Sequence, residues 1–132
     1  MAEEQKNSKQ ETVKEASNFL RGTIANELAR DTPKFGSDDA GLLKFHGTYQ
    51  QDDRDARKQR EAGAGKAGRS YIFMIRTKMP GGKLTAEQFL TELSLGERLG
   101  NGTLRITTRQ GFQLHGVVKG NLWAAIHEIN ES

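Results

Sequence analysis

Between Arg98 and His127 the chain carries four Lys or Arg residues (Arg98, Arg105, Arg109 and Lys119) and neither Asp nor Glu. In the stretch TLRITTR, residues 103–109, an extended backbone places Arg105, Thr107 and Arg109 on one face and Leu104, Ile106 and Thr108 on the other. Two guanidinium groups and a hydroxyl on one side form an anion cradle, because guanidinium is a planar donor fork matched to carboxylate or oxyanion oxygens. The same pattern describes the solvated face of a half-covered antiparallel sheet, and alternation alone favours that plainer reading. Arg76 and Lys78, alternate residues of YIFMIRTKM, pose the same choice.

Other chemistries find less support. With no cysteine, the chain offers no disulfide, no thiolate nucleophile and no thiolate ligand for a metal or an iron–sulfur cluster. His46, His115 and His127 lack the close-spaced partners of zinc or iron sites and read as structural histidines. None of the serines has a nucleophile's setting. Gly63, Gly65 and Gly68 match G-x-G-x-x-G, but a dinucleotide fingerprint needs a strand before it and a helix after it. Here a charged segment precedes and a strand follows, so a loop is expected. Pro80-Gly81-Gly82 is a turn.

These residues must be held by a modest core. Of 132 residues 34% are hydrophobic and the mean hydropathy is -0.74, so apolar residues concentrate in part of the chain. The net charge is +3 and the pI about 9.3, which suits an anionic partner without demanding one. No apolar run is long enough to cross a bilayer and the N-terminus is charged, so no membrane association and a cytoplasmic location are expected.

Residues 1–10 read as a disordered tail. Val13, Ala16, Phe19, Leu20, Thr23, Ile24 and Leu28 recur at three- and four-residue spacing, which predicts one amphipathic helix ending near Arg30, stopped by Asp31-Thr32-Pro33. Residues 50–69 are charged and glycine-studded without apolar periodicity. Residues 11–69 are therefore expected to be a helix followed by an extended wrapping arm outside the core. Order returns with a strand over 71–79 and a helix opened by a Thr85/Gln88 capping box, with Phe89, Leu90 and Leu93 on its apolar side. Strands over 103–109 and 112–118, turned at Gln110-Gly111, precede a final helix capped by Asn121, with Leu122, Ile126 and Ile129 on one face. Phe89 and Trp123 read as core. Strand, helix, hairpin, helix over 70–132 is most of a ferredoxin-like α+β unit, and a last strand is expected beyond Ser132, as though the unit were incomplete.

One stretch decides between these readings. KFHGTYQQDDRDARKQR, residues 44–60, admits a solvated charged helix, a basic nucleic-acid arm or a loop that clasps an anion. Its KFHGTYQQDDRD portion resembles the N-terminal segment of assimilatory sulfite reductase hemoproteins, the siroheme proteins related to nitrite reductases. SNFLRGTIANEL, MIRTKMPGG and LRITTRQGFQLHG resemble the same family, in order, from about Ser17 to the C-terminus.

The resemblance implies a ferredoxin-like nitrite/sulfite reductase half-domain and the six-electron reduction of sulfite to sulfide at siroheme coupled to a 4Fe-4S cluster. It implies electrons from an NADPH-fed flavoprotein or from ferredoxin, and the remainder of the hemoprotein as partner. Arg76 corresponds to an arginine of the substrate-anion pocket; Arg105, Thr107, Arg109, Gln113 and His115 correspond to the hairpin that contacts the macrocycle and its carboxylates. The family's cluster cysteines lie outside this chain, so the chain alone is expected to bind neither cofactor stably and to be inactive. A nitrite reductase of the same family is the near alternative. A basic ferredoxin-like module for single-stranded nucleic acid is the distant one, disfavoured because the hairpin strands supply only Phe112 for base stacking. A scaffold without a ligand is a third.

Overall fold

The structure is a computed structural model that describes residues 7–59 and 68–132. Three short helices, α1 (Lys9–Glu15), α2 (Ile24–Leu28) and α3 (Ser37–Leu43), lead into strand β1 (Thr48–Asp52) and helix α4 (Arg54–Gln59). Then come β2 (Tyr71–Arg76), α5 (Ala86–Arg98), β3 (Leu104–Ile106), β4 (Phe112–Val117) and α6 (Leu122–Glu131). The strands form one antiparallel sheet in the order β1-β2-β4-β3.

From β2 onward the connectivity is the ferredoxin-like one, with β4 beside β2 and β3 outside it. The remaining edge, beside β2, is where the last strand of such a unit pairs, and β1 holds it. Thr48 pairs with Ile75 and Asp52 with Tyr71. The expectation that residues 11–69 stand outside the core as an extended arm is corrected here. Phe35 and Leu43 belong to the same buried cluster as Phe73, Ile75, Leu95, Leu114, Val117, Leu122 and Ala125. The Phe35 and Phe73 rings meet edge to face at 5.7 Å. The inward side chains of β1 hid the strand, because they are polar. Thr48 is buried, and the Gln50 amide closes a ring with Phe35, accepting from its N–H at 2.7 Å and donating to its carbonyl at 3.3 Å.

The single N-terminal helix is also interrupted. Asn18, Phe19, Leu20 and Gly22 have positive φ, and the Ser17 hydroxyl accepts from the Leu20 N–H at 2.9 Å. What turns the chain is buried Asp39, whose carboxylate accepts from the Thr23 N–H at 3.0 Å and from its hydroxyl at 2.6 Å. A Cβ on Gly22 would lie 2.4 Å from that carboxylate, so the anchor requires glycine there.

Helix α5 opens with the expected capping box, Gln88 N–H to the Thr85 hydroxyl at 3.1 Å and Thr85 N–H to the Gln88 side-chain Oε1 at 2.9 Å. Asn121 stands at the N-cap of α6 without a side-chain hydrogen bond to it. Phe89 and Trp123, expected in the core, are surface residues: Trp123 is 64% exposed and stacks on His127. The inner face of α6 is Leu122, Ala125 and Ile129, which leaves Ile126 outside.

Candidate functional site

The helices and the Phe35 loop cover one face of the sheet; the opposite face carries the charged residues. Cross-strand partners share a face, so the pairs Arg76 with Gln113 and Arg105 with Gln113 place Arg76, Gln113 and Arg105 in one row across three strands. His115 is two residues along from Gln113, its Nε2 3.1 Å from the Gln113 side-chain oxygen. Between Phe73 and Ile75 the register slips: Phe73 faces Val117 and Ile75 faces Leu114. The extra residue is taken up at Gly116, with φ +77°, which leaves both Leu114 and Val117 pointing into the core and His115 outward. Burial, then the nearby Arg105 charge, pulls the His115 pKa below its ordinary value, so a neutral imidazole is favoured.

The alternation argument fails beyond Ile106. β3 ends there, and residues 107–111 form a turn in which Thr107 and Gly111 pair and Gln110 has φ +56°. Arg109 therefore reaches the site from the turn and not from a strand face shared with Arg105. The Thr107 hydroxyl donates to the Gly111 carbonyl at 2.9 Å. Lys78 likewise lies past the end of β2, so it does not share a strand face with Arg76.

Where the ends of β1 and β2 meet this turn, they enclose an open cleft of about 660 Å3. Arg76, Thr107 and Arg109 line it, together with Lys44, His46, Tyr49 and Lys78. No Asp or Glu does. Arg105, Gln113 and His115 lie on the adjoining sheet face, outside the cleft. The Arg76 guanidinium sits over the Tyr49 ring, 5.4 Å from its centroid, and its Nε is buried with no partner. Two glycines permit this approach. Gly47, with φ +76°, would put a Cβ 3.1 Å from the Arg76 carbonyl, and its own carbonyl accepts the Arg76 N–H at 2.8 Å. A Cβ on Gly111 would lie 2.7 Å from the Thr77 carbonyl.

Sequence reasoning missed Tyr49, Lys44 and the placement of His46, whose Nε2 lies 2.9 Å from the Leu20 carbonyl. The Phe-His-Gly-Thr-Tyr run was a usable signal, since glycine followed by alternating side chains marks a strand leaving a tight turn. The G-x-G-x-x-G loop lies largely outside the described residues. Among the described residues no group of three or more acidic or histidine side chains is arranged to hold a metal ion, and no helix is long and apolar enough to cross a membrane.

Behind the cleft sits a group the sequence did not single out. Glu92 of α5 is buried, and one of its carboxyl oxygens has no partner. Burial raises its pKa from 4.5 to about 7, against an opposing hydrogen bond from the Thr77 hydroxyl.

An antiparallel sheet with helices on one face and a cleft lined by Lys and Arg side chains on the other defines a ferredoxin-like α+β protein. The chain belongs to the nitrite/sulfite reductase ferredoxin-like half-domain family, whose pattern matches residues 65–132. It is 49% identical over 123 residues to the sulfite reductase (NADPH) hemoprotein beta-component of Staphylococcus haemolyticus. It is 50% identical over 123 residues to that of Oceanobacillus iheyensis, and 50% over 121 residues to that of a Paenibacillus species. The alignments cover 91 to 92% of this chain, which spans about a fifth (21%) of the length of each relative. The NirA protein of Mycobacterium tuberculosis shares the fold, with a TM-score of 0.74 at 23% identity, over 92% of this chain and 23% of that one.

Proposed function

We propose that this chain forms one wall of the siroheme and substrate-anion pocket of an assimilatory sulfite reductase, which reduces sulfite to sulfide with six electrons. The observation that carries the reading is the cleft lined by Arg76, Lys78, Arg109 and Lys44 with no acid, on a scaffold of this family. Siroheme is rich in carboxylates, and the residues present fit it. Arg105 and Arg109 are exposed donor forks, Gln113 and His115 add neutral hydrogen-bonding groups, and Thr107 fixes the turn that presents Arg109. When bound, siroheme supplies the redox centre at which the sulfur is reduced. Arg76 binds and orients the substrate anion: it lines the cleft with its guanidinium seated on the Tyr49 ring and its Nε–H unpartnered.

The residues do not fit a 4Fe-4S cluster. No cysteine exists to ligate it, so those ligands come from the remainder of the hemoprotein, and this chain alone is inactive. Sulfite is preferred over nitrite, and an NADPH-fed flavoprotein over ferredoxin as electron donor, because the relatives carry the name NADPH hemoprotein beta-component. A cytoplasmic location follows from that supply of NADPH.

Two variants of the complete enzyme separate the roles. Arg76→Ala keeps its siroheme and loses roughly one to two orders of magnitude in sulfite turnover, the worth of one charge-assisted hydrogen bond. Arg109→Ala lowers siroheme per polypeptide first, and activity in proportion. Unchanged occupancy with an unchanged rate in Arg76→Ala would remove that residue from the anion pocket.

A further inference from the structure

Arg76 is the last residue of β2, and its backbone is held, its N–H donating to the Gly47 carbonyl at 2.8 Å. Its side chain has no anchor of opposite charge. No Asp or Glu lines the cleft, and among the described residues the guanidinium makes no ion pair and its buried Nε has no hydrogen-bond partner. What it does have is the Tyr49 ring, whose centroid lies 5.4 Å from the Arg76 Cζ. The ring is placed by its neighbours on β1. Thr48 is buried and Gln50 is tied to the Phe35 backbone, both on the core side, so alternation turns Tyr49 to the opposite face. Tyr49 pairs with Met74, two residues before Arg76, which makes the tyrosine and the arginine diagonal neighbours on that face.

An unheld guanidinium spreads over many rotamers, and an arriving anion has to order it. A carboxylate partner fixes the group but offsets its charge and competes with the anion for its N–H donors. An aromatic face fixes it through the ring quadrupole and leaves both the charge and the in-plane donors intact. We propose that Tyr49 is a positioning residue for Arg76: its ring takes the place of the acid that an anion-binding cleft cannot contain, and holds the guanidinium in one orientation with its charge intact. The inference deepens the anion-pocket reading and rests on it for what Arg76 binds; the hold of the ring on the guanidinium stands apart from that reading. The π face is the working part, so the phenol hydroxyl is dispensable.

The test compares Tyr49→Phe, which keeps the ring, with Tyr49→Leu and Tyr49→Met, which keep apolar bulk of two shapes without it, so that the comparison survives a loss of β1 packing in either. Nuclear magnetic resonance of the full chain follows the Arg76 Nε–H, which in the wild type is shifted upfield by the ring current and exchanges slowly with water. Tyr49→Phe retains both properties. Tyr49→Leu and Tyr49→Met lose them while the backbone amides of residues 48–52 stay at their folded positions. Sulfate, a tetrahedral dianion, is then titrated into the wild type, the Tyr49 variants, Arg76→Ala and the Tyr49→Leu/Arg76→Ala double variant. Tyr49→Leu weakens binding roughly two- to thirty-fold, the range open to one cation–π contact, and Tyr49→Phe leaves it unchanged. In the Arg76→Ala background Tyr49→Leu has no further effect, because the ring acts only through the arginine. An Arg76 Nε–H signal that is the same in the wild type and in Tyr49→Leu, a weakening as large in Tyr49→Phe as in Tyr49→Leu, or a Tyr49→Leu effect that persists without Arg76, overturns the proposal. Absence of any sulfate-dependent shift at Arg76 in the wild type counts against the anion pocket, and the role of the ring is then judged on the Nε–H signal alone.

Discussion

Replacing Glu92 by Gln should make the protein less sensitive to alkali and more stable at pH 8. The folded-state pKa of Glu92 is raised, from 4.5 to about 7, so the native state binds this proton more tightly than the unfolded chain does. The stabilisation from that proton is fully present below the unfolded value and is lost as pH climbs through the folded one. Each unit of separation is worth about 1.4 kcal/mol, so between pH 5 and pH 8 this group alone removes roughly 2 to 3 kcal/mol of stability. That is a large share of the roughly 5–15 kcal/mol typical of a domain. Glu92 is buried but borders a small polar cavity, and solvent screening there brings the expected loss to the lower end of that range. The amide of Gln carries no charge to desolvate and can still accept from Thr77. Urea melts of both proteins at pH 5, 6, 7 and 8 give the difference in unfolding free energy directly, with all other titrating groups cancelling. The difference should grow in favour of Glu92→Gln by about 2 kcal/mol across the series. Parallel stability curves would refute the argument that burial holds the proton.

Gly47→Ala combines a left-handed backbone with a Cβ 3.1 Å from the Arg76 carbonyl, and should cost about 1–3 kcal/mol in a denaturant melt while perturbing the Arg76 amide signal. Lys119 is buried, donating to the Arg30 carbonyl at 3.0 Å and to the Thr32 hydroxyl at 2.7 Å; Lys119→Met keeps its stem but should cost about 2–3 kcal/mol by the same measurement. The chain mixed with siroheme and then gel-filtered should retain no Soret-like absorbance, since it supplies one wall of a pocket and no cluster ligand; a retained band would overturn that.

What could be read from the residues was the second half of the chain. Tyr71 onward carries the β-branched and aromatic run, the Thr85/Gln88 box and the hairpin that define the unit, and each signal is local. The parts that escaped depend on contacts distant in sequence. Thr48 and Gln50 are polar residues in inward strand positions, satisfied by partners that composition cannot see. Asp39 breaks a periodic helix from 16 residues away. Alternation was carried through to Arg109 because the turn at Gln110-Gly111 was taken as two residues, and Thr107, Thr108 and Arg109 carry no Gly or Pro to show that it opens at Thr107. Glu92 went unnoticed because an acid on an amphipathic helix ordinarily faces water, and only the packing of α5 beside Thr77 makes it unusual.

The position of β1 changes what the charged middle of the chain does. Were it a detached arm, Lys44, His46 and Tyr49 would reach Arg76 only by an entropically costly ordering of a flexible segment, roughly 1–2 kcal/mol for each residue fixed. Instead β1 pairs with β2 along its whole length, from Thr48 against Ile75 to Asp52 against Tyr71, and Phe35 and Leu43 anchor the segment in the core. The ordering is then met by folding itself, before any anion arrives. Tyr49 is carried on that strand under the Arg76 guanidinium, so the cleft is preorganised by the edge strand as much as by the hairpin opposite. Loss of β1 pairing should for that reason disturb anion binding as strongly as loss of Arg109, although β1 contributes no arginine of its own.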